Sequence, residues 1–203
     1  MKKKYLILGL SLLLTSSILV GCTNNKDGNN MANGHSAVEE KNNNLNDGYY
    51  DLYTTNYNAS ILPLSDYNMY SDIGQVEDYY KNNNYPGNEK YLEEVKTALR
   101  ESRDNVKTFI TTMKKEAKTE NKEVERLNRE MIDKGEDLVE DINDRLEDLN
   151  EITDRDLQRP EKDFRQLVND RIMLEEGDDN NFRGILKDLE HELNIDRPNK
   201  SKS

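Results

Sequence analysis

The chain has 203 residues, with 41 Asp and Glu against 29 Lys and Arg, a formal net charge of −12, and only 33% hydrophobic residues. A polyanion of this kind repels nucleic acid and anionic lipid headgroups, which leaves basic proteins, cations and neutral polymers as partners. A single cysteine excludes an internal disulfide, and two histidines leave little for histidine-based catalysis or metal binding.

Lys2, Lys3 and Lys4 form a positive n-region, and residues 5–14 form a mostly apolar stretch broken only by Gly9 and Ser11. That is the form of an export signal. The stretch is shorter than the roughly 20 residues a spanning helix needs, and Thr15, Ser16 and Ser17 follow it. Leu19, Val20, Gly21 and Cys22 resemble the lipobox of bacterial lipoproteins, in which Leu, a small or aliphatic residue, and Gly or Ala precede a Cys. The resemblance covers residues 1–22. It implies that the sulfur of Cys22 receives a diacylglyceryl group and that a dedicated signal peptidase removes residues 1–21. Two acyl chains anchor stably where a single myristoyl chain binds only marginally. The implied location is therefore the outer face of the cytoplasmic membrane, and the Asn, Lys and Ile usage points to a Gram-positive, low-GC bacterium. Loss of Lys2, Lys3 and Lys4 leaves 26 of the 29 basic residues against 41 acidic ones, a net charge of −15.

Residues 22–48 read as the lipidated N-terminus and a flexible tether. Asn-rich runs dominate them, and of Leu, Ile, Val and Phe only Val38 and Leu45 occur between residues 23 and 48. A coil of this length spans roughly 25–30 Å. His35 has no companion ligand and reads as a solvated linker residue.

Of the eleven tyrosines, all but Tyr5 fall between residues 49 and 91. Asn, Asp, Ser and Gly punctuate this stretch, Pro63 and Pro86 interrupt it, and neither a two-residue nor a 3.6-residue period persists. Residues 49–88 are expected to be mostly irregular, with a short helical turn over 75–81. Tyrosine combines large area with a polar tip, which suits either packing along a helical body or recognition of a partner or glycan.

Residues 89–196 carry the helical signal. Pro86 and Gly87 make a turn, and Asn88 is the expected N-cap. Apolar residues then recur at steps of three, four and seven through Leu92, Val95, Leu99, Val106, Phe109, Met113 and Ala117. The stripe resumes at Val124 and continues through Leu127, Met131, Leu138, Ile142, Leu146, Leu149 and Ile152. Its phase slips at residues 118–122 and again at Lys134 and Gly135, each a candidate turn. Acid-first pairs at i and i+4, such as Glu125 with Arg129 and Glu130 with Lys134, mark a solvated face. Pro160 is expected to start a further helix through Phe164, Leu167, Val168, Ile172 and Leu174. Gly177 ends it, and a last helix runs through Phe182, Ile185, Leu186, Leu189 and Leu193 before a polar tail, residues 197–203. The expected fold is mainly α: an antiparallel bundle of three or four helices after an extended tether, with a long coiled-coil-like helix.

Chemistry is sparse. Asp179, Asn181, Gly184, Leu186 and Glu190 stand at positions 1, 3, 6, 8 and 12 of a pattern resembling an EF-hand loop. Arg183 occupies position 5, however, where a calcium ligand belongs, and a capped amphipathic helix explains the same residues. No nucleophile motif, zinc motif or phosphate loop occurs, so no catalytic, cofactor-binding or metal residue is assigned. The expected role is a non-catalytic helical interaction or structural module of the cell envelope. It would be held to the membrane at Cys22 and bind an envelope protein or a second copy of itself. The alternatives are a ligand-binding or cell-wall-modifying lipoprotein that uses the tyrosine-rich segment, or an accessory lipoprotein of sporulation or germination. Cys22→Ser is expected to leave the precursor unprocessed and unlabelled by radioactive fatty acid; labelling of that variant would refute the anchor.

Overall fold

The computed structural model describes residues 48–70, 72–173 and 178–195, and the regular elements among them are all helical. Helix α1 (Tyr49–Asn56) runs directly into a π-helical stretch (Tyr57–Ile61) and a 3-10 stretch (Leu62–Tyr70). There follow α2 (Ile73–Asn82), α3 (Asn88–Glu116), α4 (Lys122–Asn150), a 3-10 turn (Asp156–Gln158), α5 (Glu161–Ile172) and α6 (Asp178–Glu192). The expected mainly-α bundle is what the chain forms. Within its helical part, four helices, α3 to α6, carry the apolar stripes read from the sequence.

Helices α3 and α4 are 29 residues each, about 43 Å at 1.5 Å per residue. The first phase slip is the turn between them. Ala117 leaves the helix in an extended conformation, and the Asn121 side chain restarts it by accepting from the amides of Glu123 and Val124 at 2.9 and 3.2 Å. The two helices lie antiparallel, since Arg103 bonds Asn143 while Lys114, one end further along, pairs with Glu136.

The second slip is not a turn. Helix α4 passes straight through Lys134 and Gly135, and Gly135 is buried. A Cβ there would stand 2.4 Å from Cγ2 of Ile110 on α3 and 3.1 Å from Cε2 of Phe182 on α6. The stripe therefore never loses phase: Met131, Gly135, Leu138 and Ile142 keep helical steps, and the glycine is the member whose missing side chain admits two neighbours.

Around this hairpin the chain builds two cores. One gathers Tyr49 and Tyr53 of α1, Phe109 and Met113 of α3, Leu127 and Met131 of α4, and Phe182 and Leu189 of α6. The other gathers Val76 of α2, Tyr91 and Val95 of α3, Leu149 of α4, and Phe164 and Val168 of α5. Leu99 packs against both.

The tyrosine-rich segment departs from expectation. Instead of being mostly irregular it is helical over residues 49–70 and 73–82, and the turn expected over 75–81 is a ten-residue helix capped by Asp72, which accepts from the amide of Gln75 at 3.0 Å. The period was carried by the tyrosines themselves. Tyr49, Tyr53 and Tyr57 recur every four residues and stack along one face with ring centroids 6.3 and 5.8 Å apart, and Tyr53 meets Phe109 edge-on at 5.9 Å. Both Tyr49 and Tyr53 are buried.

Gly135→Ala is expected to lower stability by about 1–3 kcal/mol, although alanine is the better helix former by about 1 kcal/mol. Urea unfolding checks it. Combined with Ile110→Ala, the substitution should cost less than the sum of the two singles, because the colliding methyl is then absent.

Candidate functional site

Tyrosines and carboxylates converge where α2, the start of α3 and α5 meet. The chain leaves α2 at Asn82, runs extended, and reverses at Gly87, whose φ of 94° favours glycine. The reversal lays Tyr85 against Tyr80 and Tyr91, with centroids 5.2 and 5.6 Å apart, and Tyr91 meets Phe164 at 6.4 Å. Into this cluster α5 sends Arg165. Its guanidinium carbon lies 5.7 Å from the Tyr80 ring centroid and 5.0 Å from that of Tyr85. Its Nε donates to Glu77 at 2.9 Å, and its Nη1 donates to Glu161. Burial pulls the Arg165 pKa down, but the hydrogen bonds to Glu161 and Glu77 outweigh it and hold it above the ordinary value. The arginine, itself buried, is thus fixed by two rings and by two carboxylates that stay partly exposed, and removing both carboxylates would strand a buried charge.

Asn88 does not cap α3 as expected; Gly87 stands at that position. The Asn88 amide instead donates to the carbonyls of Leu157 and Arg159, both at 2.9 Å, while its oxygen accepts from the Tyr85 hydroxyl at 2.8 Å. One side chain therefore ties the tyrosine turn to the loop that leads into α5.

Beside this cluster lies an open groove of about 410 Å³ between the 3-10 stretch and the first half of α3. Tyr67, Met69 and Tyr70 contribute from one wall, Lys90, Glu93 and Glu94 from the other, and Asp66 stands at the margin. The Tyr67 hydroxyl donates to Glu101, and this bond, with burial behind it, pushes its pKa up to about 12. For Tyr70 it is burial first, then the Glu94 charge, that raises it to about 12. A second hollow, of about 640 Å³, is lined by Thr153, Arg155, Asp156, Arg159 and Asp163. Its Asp156 is already engaged: the Thr153 hydroxyl and amide, then Arg159, hold it down to about 2.

No family model, no curated protein and no solved structure matches the chain. The site therefore has to be read from its own geometry. The lipobox residues Leu19, Val20, Gly21 and Cys22 lie outside the described residues, as do His35 and the tail. His191 is exposed on α6. The window Asp179 to Glu190 is helical throughout, so its first and last positions lie about 16 Å apart along the axis and do not converge as a loop would. Among the described residues no group of His, Cys, Asp and Glu is placed to hold a metal.

Arg165, Glu77, Glu93 and Glu94 were not singled out by the sequence; Asn88 was read only as a cap, and Tyr67 and Tyr70 only as members of the tyrosine-rich segment. A signal for Arg165 was present: with Asn169 it extends the apolar line of Phe164, Val168 and Ile172, a polar pair on the buried face of α5. Both groove tyrosines have raised pKa values, so the stability contributed by their protonated hydroxyls is complete below their ordinary 10.0 and is lost as pH rises through about 12. In a spectrophotometric titration, Tyr67→Phe and Tyr70→Phe should each remove tyrosinate amplitude from the high-pH step and leave the step at ordinary pH unchanged. Loss from the ordinary step would refute the arrangement.

Proposed function

We propose that this chain is a lipoprotein of the bacterial envelope, anchored through Cys22, whose helical body binds a partner protein and performs no catalysis. The supporting observation is where the apolar surface goes. Val124, Leu127, Met131, Leu138, Ile142, Leu146 and Leu149 of α4 all lie in the chain's own cores, while its outward positions Glu125, Asp133, Glu140, Asp144 and Glu147 are exposed and charged. A coiled coil with a second copy needs an apolar seam, and the one the sequence advertised is covered from within. Recognition then falls to surfaces such as the groove, where aromatic and charged groups meet in a concavity. Among the described residues no helix is long and apolar enough to cross a membrane; the proposed attachment is the lipid.

Sedimentation velocity of the full chain in neutral detergent should give one copy per micelle across a wide concentration range. A concentration-dependent dimer would return the reading to self-assembly. Co-sedimentation with purified peptidoglycan would favour the cell-wall alternative.

A further inference from the structure

We propose that the groove between the 3-10 stretch Leu62–Tyr70 and the first half of α3 is a docking site for an arginine side chain of a basic partner protein, its guanidinium lying against Tyr67 and Tyr70 with Glu93, Glu94 and Asp66 around it. The inference rests on the partner-binding reading above and names where the partner binds and what it presents.

Three observations carry it. The first is residue chemistry: two tyrosines, a methionine and three carboxylates against one lysine line the groove, a combination that favours a cation with a flat, weakly hydrated face over a neutral or anionic group. The second is how loosely the carboxylates are engaged. Glu94 pairs with Lys90 at 3.6 Å in an exposed contact, with the lysine N-terminal to the glutamate, which is the weaker order on a helix. Glu93 meets Arg100 at 2.9 Å in another solvent-exposed pair, and Asp66 has no ion pair among the described residues. Such pairs contribute little and yield to a better cation.

The third observation is that the molecule already holds one arginine in this way. Arg165 sits beside the rings of Tyr80 and Tyr85 and is bonded by Glu77 and Glu161. The groove repeats those residue types next door, joined through Tyr70, whose ring lies 6.3 Å from that of Tyr91 in the same cluster. No arginine is among the groove's lining residues, whose one cation is Lys90, and we take the arginine from another molecule. The net charge of −12 draws a basic protein toward it at long range.

The test is binding of fluorescent hexa-arginine to the full chain in neutral detergent micelles, by anisotropy at physiological salt. Saturable binding is expected, weakened about five- to tenfold by Glu93→Gln with Glu94→Gln and to a similar extent by Thr97→Arg, which places a competing cation on an exposed position of the groove wall. Asp144→Asn with Glu147→Gln, removing equal charge from the outer face of α4, should change affinity less than about twofold. Hexalysine should bind more weakly than hexa-arginine. Equal losses in the two double variants, or no saturable binding, would overturn the inference, as would a chitooligosaccharide competing for the groove. Photo-crosslinkers at Thr97 and at Asp144 in the native membrane separate the two levels. Adducts with an envelope protein from Asp144 alone would sink the groove and leave the partner-binding reading standing, and adducts from neither would sink both.

Discussion

The seam between α3 and α4 runs for 29 residues on each side, and its length dictates much of the remaining structure. Each helix presents a stripe about 100° wide, and pairing two helices covers only the inner edge of each stripe. The remainder must be covered by other elements: the longest single α-helix among them is the 15-residue α6, about 22 Å, and the longer run Tyr49–Tyr70 changes from α to π to 3-10 on its way. No single one can span a seam of about 43 Å. Two groups of helices therefore share the covering, with α1 and α6 closing over one end and α2 and α5 over the other. Gly135 fixes the register of the first group, because Ile110 of α3 and Phe182 of α6 both occupy the space its Cβ would need. A side chain at that point would push two helices off the third.

Tyrosine serves as covering material because of the composition. In a chain only 33% hydrophobic, short covering helices must bury much area per residue, and a tyrosine does so while its hydroxyl finishes the polar margin. Tyr49 bonds Asn128 at 2.9 Å, Tyr53 reaches the carbonyl of Leu186 at 3.4 Å, and Tyr85 bonds Asn88. Covering and tying are thus performed by the same side chains. Tyr91, on α3 itself, is buried without such a tie: its hydroxyl has no hydrogen-bond partner among the described residues, and burial, followed by the neighbouring tyrosines, holds its pKa far above the ordinary value.

The helical class and the four later helices were legible because Leu, Val, Ile, Met and Phe repeat at a helical period over long windows. Four features were hidden, for three physical reasons. Gly135 looked like a break because a periodicity search counts apolar side chains, and a glycine that admits neighbouring helices has none to count. The helices of the tyrosine-rich segment were obscured because tyrosine is read as amphipathic, so the four-residue recurrence of Tyr49, Tyr53 and Tyr57 carried little weight among intervening Asn and Thr. The groove was illegible because Tyr67 and Tyr70 meet Glu93 and Glu94 only through the folding of a 3-10 stretch onto α3. Arg165 with Glu77 is similarly non-local, 88 residues apart, a separation that no spacing rule reaches.

The placement of the two ends gives the body a direction. The described chain enters at Tyr49, whose hydroxyl is bonded to Asn128 near the start of α4. The groove lies along Lys90 to Ala98, at the half of α3 that runs beside the far end of α4, where Leu149 shares a core with Tyr91 and Val95. From Asn128 to Leu149 the hairpin extends about 30 Å. The first core lies at the end the chain enters by, and its large side chains are buried. The second core carries on its flank a surface in which aromatic rings and loosely paired carboxylates remain open to water. A pair of antiparallel helices joins the two, so the spacing between Tyr49, where the described chain enters, and the groove is set by the length of a helix.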